Sequence, residues 1–171
     1  MSTAAASPRA LLAKYGLTAK KSWGQNFLVE ARVYDAIVRA AVASDDDWLV
    51  EIGAGLGTLT SRLAVAVPRG RVVAVERDRD LVAVLRAELG EASNIEIAEA
   101  NAMTFRYDEV AKRAGRAIVI VGNLPYQLAS QLLFAILAVR QVVARAVVML
   151  QREMAERLLA APGERAYGAL G

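Results

Sequence analysis

Four consecutive residues, Asn123-Leu124-Pro125-Tyr126, are the most specific chemical signal in this sequence. An amine on a planar base is a poor nucleophile, because its lone pair is delocalised into the ring. An Asn side-chain oxygen and a backbone carbonyl can both accept from that amine and turn the lone pair toward an electrophilic methyl group. The proline stiffens the turn, and the tyrosine offers a face on which an extruded base can stack. An ordinary turn at the end of a strand would explain any one of these residues, but it does not explain all four together.

A glycine-rich turn, EIGAGLGTLT, predicts a ligand site earlier in the chain, with Gly53, Gly55 and Gly57 spaced G-x-G-x-G. Glycines let the backbone turn tightly and approach a ligand, and the helix that follows offers unpaired N–H groups. A dinucleotide-binding loop needs a third glycine where this chain has Thr58. The spacing is instead typical of S-adenosylmethionine-dependent methyltransferases.

Two further positions are candidates for cofactor contacts. Glu76 ends the apolar run RVVAVE, where a carboxylate can accept hydrogen bonds from both hydroxyls of a ribose. The alternative is a capping or salt-bridging acid. Asn101 and Ala102 follow the next run, where a cofactor adenine would lie, although an Asn also suits a simple loop.

The elements that must position these residues alternate along the chain. Short apolar runs predict strands at 48–52, 71–76, 94–99, 117–123 and 144–151, and helical spacing predicts helices over 30–43, 58–67, 79–89, 107–114, 129–139 and 153–160. Strands joined by helical crossovers indicate an α/β, doubly wound, largely parallel sheet. In such a sheet, ligands bind beyond the carboxyl ends of the strands.

Composition narrows the chemistry. The chain has no Cys and no His, so disulfides, thiolate or imidazole metal ligands and His-based general bases are excluded. We therefore expect no metal. No apolar run reaches the length of a membrane span and no secretory signal is recognisable, so we expect a cytoplasmic protein with no membrane partner. The first 29 residues carry only positive charges, which suits a polyanionic partner, or else a disordered and solubilising tail.

Taken together, the motifs KKSWGQNFL, EIGAGLGTLT, VVAVERD, NAMTF, GNLPYQLAS and VVMLQREMAERL resemble the ribosomal RNA adenine dimethyltransferase family, most closely its KsgA-type members. The resemblance runs from about Lys20 to the end of the chain. It implies a Rossmann-like class I methyltransferase fold, S-adenosylmethionine as the cofactor, and methylation of the N6 amines of two adjacent adenosines near the 3′ end of small-subunit rRNA. The implied partner is the immature small ribosomal subunit, and we expect the chain to be a monomer.

The resemblance also implies roles for single residues. Asn26 and Leu28 in GQNFL would contact the cofactor from the amino-terminal arm, residues 1–29, folded over the site. Gly53 and Gly55 would form the glycine-loop contact, Glu76 would bind ribose, and Asn123 would touch both cofactor and target amine. Tyr126 would stack on the target adenine.

Two departures from the family pattern modify this expectation. Asn101 stands where the family usually has Asp, so we expect somewhat weaker cofactor binding. The chain ends at Gly171, so we expect a methyltransferase domain over residues 30–171 that is truncated after about five strands and lacks the family's carboxyl-terminal helical domain. Its last strand would then leave an exposed apolar edge.

The sequence leaves two alternatives open. The chain could be a macrolide-resistance-type methyltransferase that acts on a large-subunit rRNA adenine, although AMTF and NLPYQLAS favour the small-subunit type. It could also be a catalytically incomplete module that binds cofactor or RNA and transfers no methyl group.

Overall fold

A five-stranded, wholly parallel sheet organises the chain. The structure is a computed structural model that describes residues 7–20, 25 and 27–164. The strands are β1 (Trp48–Ile52), β2 (Arg71–Glu76), β3 (Ile95–Glu99), β4 (Ile118–Asn123) and β5 (Val143–Met149), in the order β3-β2-β1-β4-β5. The order reverses between β1 and β4, and this switch point opens a crevice at the carboxyl ends of the strands.

Seven helices accompany the sheet in the described part of the chain. They are α1 (Pro8–Lys14), α2 (Ala31–Ala41), α3 (Thr58–Ala66), α4 (Arg79–Leu89), α5 (Tyr107–Ala114), α6 (Ala129–Ala138) and α7 (Arg152–Leu159), with a short 3-10 helix, Arg140–Val142, before β5. The predicted α/β fold and the predicted elements are confirmed to within two residues at each boundary. Helix α1 lies in the segment that we treated only as an arm.

Both faces of the sheet are apolar, as a parallel sheet requires. Strand β1 shows the alternation: Leu49 packs with α2 and α3 on one face, whereas Val50 and Ile52 pack with α5 and α6 on the other. A third, smaller cluster joins α1 to α4 through Leu11, Leu81 and Val84. Helix α1 is therefore packed on α4 by apolar contacts.

A buried carboxylate ties together the amino-terminal edge of the sheet. Asp47 is 5% exposed, accepts from the N–H groups of Ala43 and Ser44 at 2.8 and 3.0 Å, and binds Arg116 and Arg145 at 3.0 Å. Burial works to raise the pKa of this carboxyl, but these hydrogen bonds and charges outweigh it and hold the pKa below its ordinary value. Arg145 also donates to the carbonyl of Ala41 at 2.9 Å, so it joins β5 to the end of α2.

Within the described residues, no helix combines the length and the apolar character needed to cross a membrane.

Removing the Arg145 side chain should destabilise the fold. Arg145→Met leaves Asp47 buried with one cation fewer, so we expect the free energy of unfolding in urea to fall by about 1–3 kcal/mol. Arg140→Met is the matched control, because Arg140 is exposed on the neighbouring 3-10 helix; it should change that free energy by less than about 0.5 kcal/mol. Equal effects of the two substitutions would contradict this role for Arg145.

Candidate functional site

One cavity of about 850 Å³ opens at the carboxyl ends of the strands. Its wall contains every predicted site residue that the structure describes: Leu28, Gly53, Gly55, Glu76, Asn101, Ala102, Asn123, Leu124, Pro125 and Tyr126. Asn26, predicted as a cofactor contact, lies outside the described residues. Parallel strands end at the same edge of the sheet, so residues far apart in sequence meet here.

The glycine turn after β1 has the backbone that its composition predicts. Gly53, Gly55 and Gly57 all have positive φ, at 68°, 60° and 78°, which L side chains rarely adopt. At Gly55 the absence of a side chain also matters for packing, because a Cβ atom there would lie 3.2 Å from Cε1 of Phe27. The turn is thus covered closely by the amino-terminal arm.

Glu76 holds this turn against the end of β2. It is 7% exposed; Oε2 accepts from the N–H of Gly55 at 2.9 Å, and Oε1 accepts from the N–H groups of Arg77 and Asp78 at 2.8 Å. An ionised carboxylate has about four acceptor sites. Since the described residues use three of them, Oε2 can take one more donor from a ligand in the cavity.

The segment after β3 forms the cavity rim. Oδ1 of Asn101 accepts from the N–H of Met103 at 3.0 Å, which makes the local turn that we gave as the alternative role of this residue. The hydroxyl of Tyr107 donates to the carbonyl of Ala102 at 2.7 Å, and burial raises the pKa of Tyr107. Sequence reasoning missed this tyrosine, which fixes the rim from the first turn of α5.

The segment Asn123–Leu128 forms the opposite wall. The N–H of Leu124 donates to the carbonyl of Met149 at 3.2 Å, and the N–H of Leu128 donates to that of Pro125 at 2.9 Å. The Leu124 side chain is 5% exposed and belongs to the apolar core, so any polar role of this residue belongs to its backbone. Tyr126 is 49% exposed at the cavity, which leaves its ring accessible for stacking.

A buried acid that sequence reasoning overlooked also lines the cavity. Glu51 of β1 is 2% exposed, and among the described residues its Oε2 has no hydrogen-bond partner. Burial raises the pKa of Glu51 to about 8, and the charge of Glu76 acts in the same direction. The signal in the sequence was an acid inside an otherwise apolar strand, WLVEI.

Comparisons with known proteins show the family of the chain. A family model described as ribosomal RNA adenine dimethylase matches residues 16–171. The chain belongs to this family. It is similar to a ribosomal RNA small subunit methyltransferase A from Anaeromyxobacter sp. (strain K), with 52% identity over 173 residues that cover 96% of this chain and 59% of the relative.

Two solved structures are also similar. A dimethyladenosine transferase from Plasmodium falciparum superposes with a TM-score of 0.69 at 30% identity, over 85% of this chain and 50% of that one. The 23S rRNA methyltransferase ErmE superposes with a TM-score of 0.64 at 27% identity, over 77% of this chain and 50% of that one. The predicted Rossmann-like class I methyltransferase fold is confirmed, and the chain spans between half and 59% of the length of these three proteins.

The raised pKa of Glu51 makes the stability of the fold depend on pH. Between about pH 4.5 and pH 8 the unfolded chain loses a proton that the folded chain keeps, so the free energy of unfolding should fall as pH rises and level off above about pH 8. In the Glu51→Gln variant this position cannot ionise. Relative to the parent, the free energy of unfolding of the variant in urea should therefore increase by roughly a few kcal/mol as pH rises across this range.

Glu91→Gln is the control for this measurement, because Glu91 is exposed after α4 and should leave the pH dependence unchanged. A Glu51→Gln variant with the same pH dependence as the parent would show that Glu51 is ionised in the folded chain.

Proposed function

We propose that this chain transfers methyl groups from S-adenosylmethionine to the N6 amines of two adjacent adenosines near the 3′ end of small-subunit rRNA. The observation that carries the proposal is the single cavity in which the glycine turn and Glu76 face the segment Asn123–Tyr126. A site for a nucleoside cofactor and a site for a planar amine substrate thus share one space.

The residues of the cavity fit the cofactor. At Gly53 no described atom lies within 4 Å of the position that a Cβ atom would take, so the turn leaves open space there, and Glu76 keeps an acceptor site for a ribose hydroxyl. Glu51 Oε2 and Thr58 Oγ1 are buried on the wall with no hydrogen-bond partner among the described residues. Because an unsatisfied buried polar group is costly, these atoms favour a ligand with a polar end, such as the amino-acid part of the cofactor.

The chain's own residues position the target amine. When bound, S-adenosylmethionine supplies an electrophilic methyl group on a sulfonium. Asn123 accepts a hydrogen bond from the target amine and turns its lone pair into the cavity, and the ring of Tyr126 holds the extruded base in place. Gly53, Gly55 and Glu76 would hold this cofactor, which would give its methyl group directly to the amine, with the sulfur leaving as a neutral thioether and the amine proton passing to solvent.

The relatives favour the small subunit over the alternatives. The relative at 52% identity is named for the small subunit, whereas the likeness to the 23S rRNA enzyme has 27% identity. Both walls of the cavity are present, which favours catalysis over binding alone. We keep the cytoplasmic location and the monomeric state as predictions.

The amino-terminal arm contributes less free positive charge to RNA binding than its sequence suggests. Lys14 pairs with Glu88 at 2.6 Å, and Lys20 pairs with Asp78 and Asp80 at 2.9 and 2.7 Å. We therefore place RNA contacts nearer the cavity mouth, where the ring of Tyr126 is exposed.

The direct test is methyl transfer from labelled S-adenosylmethionine to purified ribosomal subunits that lack the modification. We expect label in adenosine of the small subunit and none in the large subunit. Since the chain spans 59% of its Anaeromyxobacter relative, a version extended with the carboxyl-terminal part of that protein should be assayed beside it. Label in the large subunit alone would contradict the proposal, and cofactor binding without transfer by either version would favour the binding module.

Substitutions on the two walls of the cavity should affect different quantities, kcat on one wall and cofactor affinity on the other. Asn123→Ala should lower kcat by about 100-fold or more while changing cofactor affinity little, because it removes the acceptor that orients the amine. Glu76→Gln should weaken cofactor binding by about tenfold or more, because an amide replaces a charged acceptor.

Isothermal titration with S-adenosylmethionine and saturation kinetics measure the two quantities. Gln141→Ala, on the exposed 3-10 helix, is the control and should leave both unchanged. Equal loss of kcat and cofactor affinity in the Asn123 variant would show that Asn123 contacts the cofactor only, which would contradict its role in orienting the amine.

A further inference from the structure

A buried carboxylate, Asp78, joins the amino-terminal arm to the end of β2. Asp78 is 3% exposed. Its Oδ1 accepts from Nζ of Lys20 and its Oδ2 accepts from Nε2 of Gln25, both at 2.9 Å. Both oxygens of one buried carboxylate are therefore bound by residues of the arm.

The same residue is connected to the cavity. Oδ1 of Asp78 also accepts from the N–H of Asp80 at 3.1 Å and so caps α4, while its own N–H donates to Glu76 at 2.8 Å. Glu76 in turn holds the N–H of Gly55. Burial works to raise the pKa of Asp78, but the bonds from Lys20 and Gln25 outweigh it, and the pKa lies below its ordinary value.

On the arm, the two residues that bind Asp78 also bind each other. The N–H of Lys20 donates to Oε1 of Gln25 at 2.9 Å, and the N–H of Gln25 donates to the carbonyl of Lys20 at 3.5 Å. Two residues after Gln25 stands Phe27, whose ring covers Gly55. Gln25, Phe27 and Leu28 all line the cavity, so the arm forms part of its wall.

We propose that Asp78 is a positioning residue for the cofactor. By binding Lys20 and Gln25, Asp78 holds Phe27 and Leu28 in the cavity wall over the glycine turn; we call these contacts of Asp78 the latch. The proposal rests on the proposed function. Releasing the arm would break the two hydrogen bonds that Lys20 and Gln25 make to a charged carboxylate, so the latched arrangement is favoured before any ligand binds. A ligand that contacts this wall then binds without first having to order it.

Asp78→Asn tests the latch. Asn is also a good N-cap, so α4 keeps its first-turn acceptor. The substitution removes the charge that binds Lys20 and places an NH₂ group opposite the NH₂ group of Gln25. We expect the Kd for S-adenosylmethionine to rise about tenfold or more, kcat at saturating cofactor to stay within about threefold, and the amides of residues 27–30 to exchange hydrogen faster.

Gln25→Glu provides a second variant on the other side of the same contact. Alone it places two carboxylates against each other and should also weaken cofactor binding. Combined with Asp78→Asn it restores a donor–acceptor pair, since the Asn NH₂ can donate to the Glu side chain, which still accepts from the N–H of Lys20. The double variant should therefore recover most of the lost affinity.

Glu88→Gln is the matched control for a loosened arm. Glu88 binds Lys14 and the hydroxyl of Tyr15, so it anchors α1 on α4 without touching Asp78 or the cavity. This variant should bind cofactor like the parent. If Asp78→Asn binds cofactor like the parent, weakens binding no more than Glu88→Gln does, or lowers kcat at unchanged Kd, the latch is overturned.

The failure of the latch can be told apart from failure of the proposed function. A parent chain that binds no S-adenosylmethionine overturns both the proposed function and the positioning role. A parent chain that binds it, with Asp78→Asn and Gln25→Glu binding equally well, overturns the latch alone.

Discussion

The carboxylate of Glu76 is the interaction on which the functional end of the molecule depends. It accepts from three backbone N–H groups, one in the turn after β1 and two at the start of the loop after β2. Two neighbouring strand ends are thereby fixed relative to each other, and the left-handed glycine turn is held open toward the cavity. The cost of burying this carboxylate is offset because each of its oxygens accepts a hydrogen bond.

The parallel sheet makes this interaction possible. The carboxyl ends of β1 to β4 lie at one edge of the sheet. The cavity there is therefore surrounded by the glycine turn, Glu76, the rim at Asn101 and the segment Asn123–Tyr126. The opposite edge is stabilised differently, by Asp47 with Arg116 and Arg145. Since these contacts hold α2, β1 and β5 in place, one end of the sheet provides rigidity and the other provides the site.

Much of this could be predicted from the sequence. Apolar runs marked all five strands, and the glycine turn, Glu76 and Asn123–Tyr126 were placed at the carboxyl ends of the correct strands. The missed parts depend on the whole fold. Glu51 is an acid in an otherwise apolar strand whose pKa burial raises, and Asp78 takes its side-chain donors from Lys20 and Gln25, far earlier in the chain. Helix α1 is short, and it is supported by packing on α4.

The sequence by itself therefore determined the element types, their order and the chemical groups at the strand ends, because hydrophobic periodicity and turn residues act over a few positions. The tertiary structure alone decided which distant groups meet. Lys20 reaches Asp78, Phe27 covers Gly55, and Glu51 loses its solvent. The physical reason is that pairing, close packing and desolvation depend on distances in space, which residues far apart in the chain acquire only when the sheet and its helices have assembled.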